Sequence, residues 1–256
     1  GEMACGEYGE GKMSSPRQIY SYIKDYFNKK DDVKRKNFKA LVTAGPTREY
    51  IDPVRYISNE SSGKQGYEIA LALNRLGIKT TLIIGPSNIS DRKDIKTKRI
   101  ITADQMFSEV KKSLPVDVAI CAAAVSDFKP FKKNKKKLKK NGNNLRFIEI
   151  EKNKDIIEYL GKNNKFRPKL VVGFSAETEN LNKNSILKLK RKNCDLIVAN
   201  DVSKKDIGFN SDYNKVSIID NRGIIKTIKK NKKSFIASKI AEVILDKLLI
   251  DDQNFN

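Results

Sequence analysis

From Phe38 onward the chain keeps returning to short runs without a polar face, such as DVAICAAAV over 117–125 and KLVVGFSAE over 169–177. Strands of that kind must be covered on both sides, as parallel strands flanked by helices are. Such runs are read as strands near 39–44, 79–84, 98–101, 117–122, 145–150, 169–175 and 194–199. Between them, apolar residues recur at helical spacing near 64–76, 103–113, 154–161, 180–192 and 232–249, the last with Ile236, Ile240, Ile244 and Leu248 on one stripe. The alternation predicts a doubly wound, Rossmann-like α/β fold with a mainly parallel sheet. KVSIID and GIIKTI, joined through Asn221 and Arg222, predict instead a late antiparallel hairpin over 214–228.

Residues 1–15, GEMACGEYGEGKMSS, are glycine-rich and begin without methionine, as expected of a piece of something longer. Ser15-Pro16 then offers an N-cap and a proline at the first helical position, with Ile19, Tyr22, Ile23 and Phe27 at helical spacing. NKKDDVKRKN follows as a charged linker. The expected organisation is therefore a remnant over 1–15, helix and linker over 16–37, the main domain over 38–250, and a tail over 251–256. Cys5, Cys121 and Cys194 are too few and too scattered for a disulfide framework or a metal site, which implies a reducing, cytoplasmic setting. No apolar run approaches the roughly 18 residues of a membrane span, so no membrane partner is expected. The formal net charge of +21 is mostly lysine accompanied by abundant asparagine. It is read as spread over many surfaces, suited to anionic small substrates, with no nucleic acid expected. Histidine is absent, so any chemistry proceeds without the commonest general acid and base.

Ligands of doubly wound sheets bind at the carboxyl ends of the strands, and the unusual segments here all follow strands. After the first, Gly45 to Gly63 delays the next helix by about twenty residues, where two to six are usual. That loop ends in Ser61-Ser62-Gly63-Lys64-Gln65-Gly66 at a helix start, which suits an anion and serves equally to cap the helix. Neither G-x-G-x-x-G nor the Walker pattern is present, so the glycines alone do not name a ligand.

The whole stretch AGPTREYIDPVRYISNESSGKQGYEIA closely resembles the signature of the phosphopantothenoylcysteine synthetase (phosphopantothenate cysteine ligase) family. The resemblance continues in family order through CAAAVSDFKP, KLKK, EKNKDII, VVGFSAET, DLIVANDVS and GFNSD, over roughly residues 38 to 250. ACGEYGEGKMSSP looks like the closing segment of the flavin-dependent decarboxylase that precedes the synthetase in bacterial bifunctional proteins, with Cys5 matching its proton-donating cysteine. That enzyme also needs a histidine and an FMN-binding fold, so FMN belongs to the part missing here and no decarboxylase activity is expected.

The resemblance implies a homodimeric ligase with 4'-phosphopantothenate, L-cysteine and CTP as substrates and Mg2+ on the triphosphate. The acid attacks the α-phosphate of CTP, pyrophosphate leaves, and the cysteine amine displaces CMP from the acyl cytidylate. Lys137, the first lysine of KLKK, matches the lysine that assists nucleotidyl transfer, with Lys139 and Lys140 on the same flap. Asn59 matches the asparagine tied to the acyl cytidylate, and Arg55 an arginine suited to carboxylate or phosphate. Ala123, Ala124, Asp127, Lys154, Asp155, Ile156, Ile157, Phe174, Lys188 and Lys192 match nucleotide-side positions. Arg55, Asn59 and Ala124 are the expected phosphopantothenate contacts; no metal ligand is assigned. Lys154 stands where proline is usual and Ser126 where alanine is common. ATP use, as in eukaryotic relatives, or a non-catalytic nucleotide- or RNA-binding module remain the alternatives.

Overall fold

The computed structural model describes residues 14–23, 38–139, 147–162, 165–177, 181–201 and 211–253. Cys5, Phe27, Lys140, Val202 and Ser203 of DLIVANDVS, and the GFN of GFNSD lie outside the described residues. The chain divides into two units, 1–37 and 38–256. In the first, a helix (α1) runs over 16–23. The Gln18 N–H donates to Ser15 Oγ at 3.3 Å and the Ser15 N–H to Gln18 Oε1 at 3.1 Å, the reciprocal pairing that satisfies the free N–H groups of a helix start.

The second unit opens with β1 (Lys39–Ala44), β2 (Arg48–Tyr50), β3 (Tyr56–Ser58), α2 (Lys64–Arg75), β4 (Lys79–Ile84), β5 (Lys96–Arg99), α3 (Ala103–Ser113) and β6 (Val118–Cys121). It continues with β7 (Phe128–Pro130), β8 (Ile150–Lys152), α4 (Ile156–Lys162), β9 (Leu170–Glu177), α5 (Leu181–Lys192), β10 (Leu196–Asp201), β11 (Tyr213–Asp220), β12 (Gly223–Lys232) and α6 (Lys233–Gln253). Eight strands form one sheet in the order β12-β11-β10-β9-β6-β1-β4-β5. From β10 to β5 every pairing is parallel, and β11 and β12 add an antiparallel hairpin at one edge. The expected α/β architecture is therefore present.

Alternation along the strands divides the core. Ala40, Val42, Ala44, Leu82, Ile84, Ile120, Val172 and Val198 pack in one cluster with Ile69 and Leu73 of α2 and Ile236, Ile240 and Ile244 of α6. Leu41, Ile83, Ala119, Val171 and Ile197 face the other cluster, with Met106 and Val110 of α3, Leu160 of α4 and Leu189 of α5. Because successive strand residues point to opposite faces, a run such as LVVG fills both clusters at once. Fully burying each such aliphatic side chain contributes about 1.5–3 kcal/mol.

Three expectations are corrected. The run at 145–150 does not join the central sheet: strand structure among the described residues begins at Ile150, and β8 pairs antiparallel with β7 in a separate ribbon. All three β8 residues are exposed, so they have no face to cover and no place inside a two-sided sheet. The strand expected at 98–101 lies at 96–99, because Thr102 caps α3 and Ile101 is drawn into that cap by donating to Gln105 Oε1. The one expected at 194–199 begins at Leu196, since Cys194 and Asp195 close the turn from α5 and Asp195 is held by Arg167 at 2.9 Å.

Candidate active site

The chain leaves β1 for β4 and β5 on one side of the sheet, then returns to β6 on the other. The crevice of a doubly wound sheet opens at such a reversal, above the carboxyl ends of the strands. The two loops there run side by side: the Ala122 N–H donates to the Thr43 carbonyl at 3.1 Å and the Ala124 N–H to the Gly45 carbonyl at 2.9 Å. Two glycines let α2 enter this space. Gly63, before the helix, has φ 74° and its absent Cβ would lie 3.2 Å from the Gly45 Cα; a Cβ at Gly66 would lie 2.7 Å from that of Ala44. Only residues without side chains permit that approach.

Two cavities flank the β6 loop. The first, about 730 Å³, is lined by Asp127, Lys154, Asp155, Ile156, Ile157, Phe174, Lys188, Arg191 and Lys192 among others. The second, about 630 Å³, is lined by Ser58 through Gly66, Ala122 to Val125, Asp127, Phe174, Lys188, Asn200, Asn214 and Lys233, with Ala176. Ala123, Val125, Asp127, Phe174 and Lys188 border both. All residues matched to nucleotide-side positions except Ala124 and Lys137 border the first cavity, and Asn59 and Ala124 border the second.

The polar groups are differently engaged. Asn59 donates from Nδ2 to the Val125 carbonyl at 3.0 Å, which fixes its amide beside the shared wall. Lys188 donates to the Phe174 carbonyl at 2.7 Å, tying α5 to the middle of β9. Lys192 is directed at carboxylates, with Asp155 at 2.6 Å and Glu158 at 2.8 Å, and only 12% of its side chain is exposed. Burial opposes its charge, but the hydrogen bonds to Asp155 and Glu158 outweigh that, and its pKa is raised. Lys162 and Lys192 in turn hold Glu158 down to about 2. Lys154 lies 4.0 Å from Asp104 with its ammonium 5.2 Å from the Phe107 ring centre, at the cavity rim. Ser126 donates its hydroxyl to the Phe128 carbonyl at 2.7 Å, and burial pushes the Cys121 thiol up to about 12, which disfavours its thiolate.

Lys137 and Arg55 border neither cavity. Lys137 is exposed on the segment after β7. Arg55 donates to the Leu138 carbonyl at 2.6 Å and lies 3.6 Å from Asp52. The lysine segment and the β2–β3 ribbon thus touch one another, next to the cavities.

The sequence reading missed Lys233, Asn214 and Arg191. Lys233 is 4% exposed, and burial first, then the neighbouring Lys64, lowers its pKa. Lys64 itself reaches Asp212 at 2.5 Å. A signal for Lys233 was available: it opens α6, whose first turn has no acidic residue, against the preference of a helix start for negative charge. Arg191 was hidden among the basic residues ending α5. Among the described residues, no group of three or more acidic, cysteine or histidine side chains gathers to hold a metal. Asp127 is the one aspartate bordering both cavities, a donor set that fits Mg2+ carried chiefly by phosphate oxygens.

Residues 35–248 match the model of the DNA/pantothenate metabolism flavoprotein C-terminal domain. The coenzyme A biosynthesis bifunctional protein CoaBC of Haemophilus influenzae is 40% identical over 245 residues, covering 95% of this chain and 60% of that protein. The chain thus spans about 60% of the length of the first curated relatives it matches. The crystal structure of a CoaBC C-terminal domain superposes with TM-score 0.70 at 32% identity, covering 85% of this chain and 97% of that one. A Cab2 mutant in complex with phosphopantothenate-cysteine shares the fold, with TM-score 0.67 at 16% identity over 94% of this chain and 97% of that one. On sequence and fold together, this chain belongs to the DNA/pantothenate metabolism flavoprotein C-terminal domain family.

Proposed function

We propose that this chain is the ligase of a coenzyme A biosynthesis protein, joining 4'-phosphopantothenate to L-cysteine after activating the acid with CTP. One observation carries the reading: two cavities of similar size share a wall of Ala123, Val125, Asp127, Phe174 and Lys188. A nucleotide in the first and an acid in the second meet at that wall. The ligand in the Cab2 complex, phosphopantothenate-cysteine, supports the acid and the amine, and the name of the Haemophilus influenzae relative supports a place in coenzyme A biosynthesis.

In this reading the base lies against Ile156, Ile157 and Phe174, and Arg191 and Lys188 face the phosphates. The 4'-phosphate lies at the start of α2, where Lys64 and Lys233 border the second cavity and the positive end of the helix dipole favours an anion. The carboxylate is beside Asn59, whose amide offers a second N–H without titrating. A carboxylate oxygen bonds to the α-phosphorus, the bond to the β-phosphate oxygen breaks, and pyrophosphate leaves. The cysteine nitrogen, having lost a proton, then bonds to the acyl carbon and the carbon–oxygen bond to CMP breaks. Both steps concentrate negative charge, and a lysine about 4 Å from a phosphate oxygen contributes roughly 4 kcal/mol at an effective dielectric near 20. Lys137 is assigned that role in the first step. Mg2+, when bound, neutralises the triphosphate, with Asp127 the residue positioned to share it. The active species is a homodimer formed at the β11–β12 edge.

The test is pyrophosphate release from CTP and 4'-phosphopantothenate, followed by CMP formation on adding cysteine. Release with ATP and not CTP overturns the cytidine assignment; no release with either overturns the ligase.

A further inference from the structure

The lysine segment is held at one residue by a buried acid. Both polar atoms of Leu138 are taken: its N–H donates to Asp52 Oδ2 at 3.2 Å and its carbonyl accepts from Arg55 Nη2 at 2.6 Å. Asp52 is 0% exposed, and its Oδ1 accepts from the Val54 and Arg55 N–H groups at 2.8 Å each. Burial raises the Asp52 pKa, but the three backbone N–H bonds and the Arg55 charge outweigh it and the net shift is downward. Further along, the Asn134 N–H donates to the Ile51 carbonyl at 2.9 Å, and the Lys133 ammonium lies 5.1 Å from the Tyr50 ring centre. Lysines at 132, 133, 135, 136, 137 and 139 repel one another along this segment. Left unheld, they would spread into solvent.

We propose that Asp52 and Arg55 form a latch on Leu138 that anchors the base of the segment from which Lys137, outside both cavities in this structure, reaches the nucleotide, so that Arg55 acts as a positioning residue through the segment rather than on the substrate. The proposal rests on the assignment of Lys137 to nucleotidyl transfer. It explains why Arg55 borders neither cavity while its motif is shared with the cavity-lining Asn59. It also explains the long β1 loop: the β2–β3 ribbon is the post to which the lysine segment is tied.

Asp52→Asn keeps the shape of the side chain but supplies one acceptor atom where two are used, so the amide cannot serve both its own turn and Leu138. Leu138→Pro removes the donor from the other side and leaves the ribbon untouched. The first readout needs no activity: trypsin cleavage within 132–139, followed by mass spectrometry. Each variant is expected to be cut there about tenfold faster than wild type at bonds other than 137–138, which a proline at 138 makes resistant to trypsin, since cleavage tracks the population of the open form, with cleavage elsewhere and thermal unfolding of Leu138→Pro unchanged. The second is kinetic. Pyrophosphate release from CTP should slow by about a hundredfold, as for a displaced catalytic group, while cysteine-dependent release of CMP from preformed acyl cytidylate keeps its rate. The double variant should be no worse than the worse single one, because both changes break the same bond.

Unaltered cleavage in both variants overturns the latch. Faster cleavage with normal pyrophosphate release overturns its role in placing Lys137. A raised KM for the acid in Arg55→Lys with wild-type cleavage returns Arg55 to the substrate. Should wild type fail to release pyrophosphate, the ligase reading falls, and the cleavage experiment still decides whether the latch exists.

Discussion

Asn59 and Lys233 face the same cavity with opposite electrostatic demands. Asn59 offers N–H groups that never titrate, one of them on the Val125 carbonyl. Asn59→Asp replaces that donor by an acceptor against a carbonyl and adds a negative charge beside the proposed place of the substrate acid. Conversion of acyl cytidylate should fall by about a hundredfold or more, the usual loss for one removed oxyanion donor, as read by CMP formation at saturating cysteine. Lys233 does titrate, with its pKa lowered from 10.5 by burial and by Lys64. A base with a depressed pKa carries its charge only below that lowered value, so the hold proposed for it on the 4'-phosphate would weaken as pH rises toward it, before an ordinary lysine would discharge. KM for 4'-phosphopantothenate should therefore climb on the alkaline side, and Lys233→Gln should raise KM at neutral pH and flatten the climb. A KM independent of pH up to 10.5 would leave Lys233 out of phosphate binding. Lys192 shows what residue matching cannot convey. The motif singled it out, and it does border the first cavity; its commitment to Asp155 and Glu158 was not legible, because an ion pair depends on rotamers and on the α4–α5 approach.

Elements divide by what made them. β1, β4, β6 and β9 were legible because each is a short apolar run filling both core clusters, a pattern with no other stable home. The three-residue strands β2, β3, β7 and β8 carry no such pattern; they exist because loops pair with each other over the sheet's carboxyl end, and exposed residues such as Tyr56 and Phe128 enter them. Those ribbons frame the candidate site, so the architecture of the sheet was far easier to read than that of the loops around it. The glycine signal at the start of α2 is the exception, since the backbone there is set by packing. Gly66 sits where an added Cβ would lie 2.7 Å from the Ala44 Cβ and 3.1 Å from the Thr43 carbonyl. Gly66→Ala gains about 0.5–1 kcal/mol of helix propensity but must push α2 off β1, an overpacking that typically costs 1–3 kcal/mol. The net expectation is a Tm lower by roughly 2–6 °C for a domain of this size, together with weaker acid binding as the helix start shifts. An unchanged or raised Tm would mean that the helix moves freely over the strand.

At the scale of the molecule, the proposed homodimer would form at the exposed side of the sheet's antiparallel edge. β12 is ten residues long and mostly exposed, with Ile224 and Ile225 at 48% and 37% exposure. Long open edges invite pairing, and lysines are a common device against it; Lys226, Lys229, Lys230 and Lys232 stand on this strand. The two tendencies predict an association controlled by salt. Chains carrying a formal net charge of +21 repel one another, and raising ionic strength from about 0.01 M to 0.15 M shortens the screening length from roughly 30 Å to 8 Å. Light scattering should accordingly show dimers of the 29.0 kDa chain that tighten with salt, where a contact made of ion pairs would loosen. Ile224→Glu with Ile225→Glu should give monomers at every salt concentration with little change in Tm, because neither side chain belongs to the buried clusters. If wild type remains monomeric at high salt while releasing pyrophosphate at full rate, the hairpin is only the end of the sheet, and the homodimer assignment is wrong.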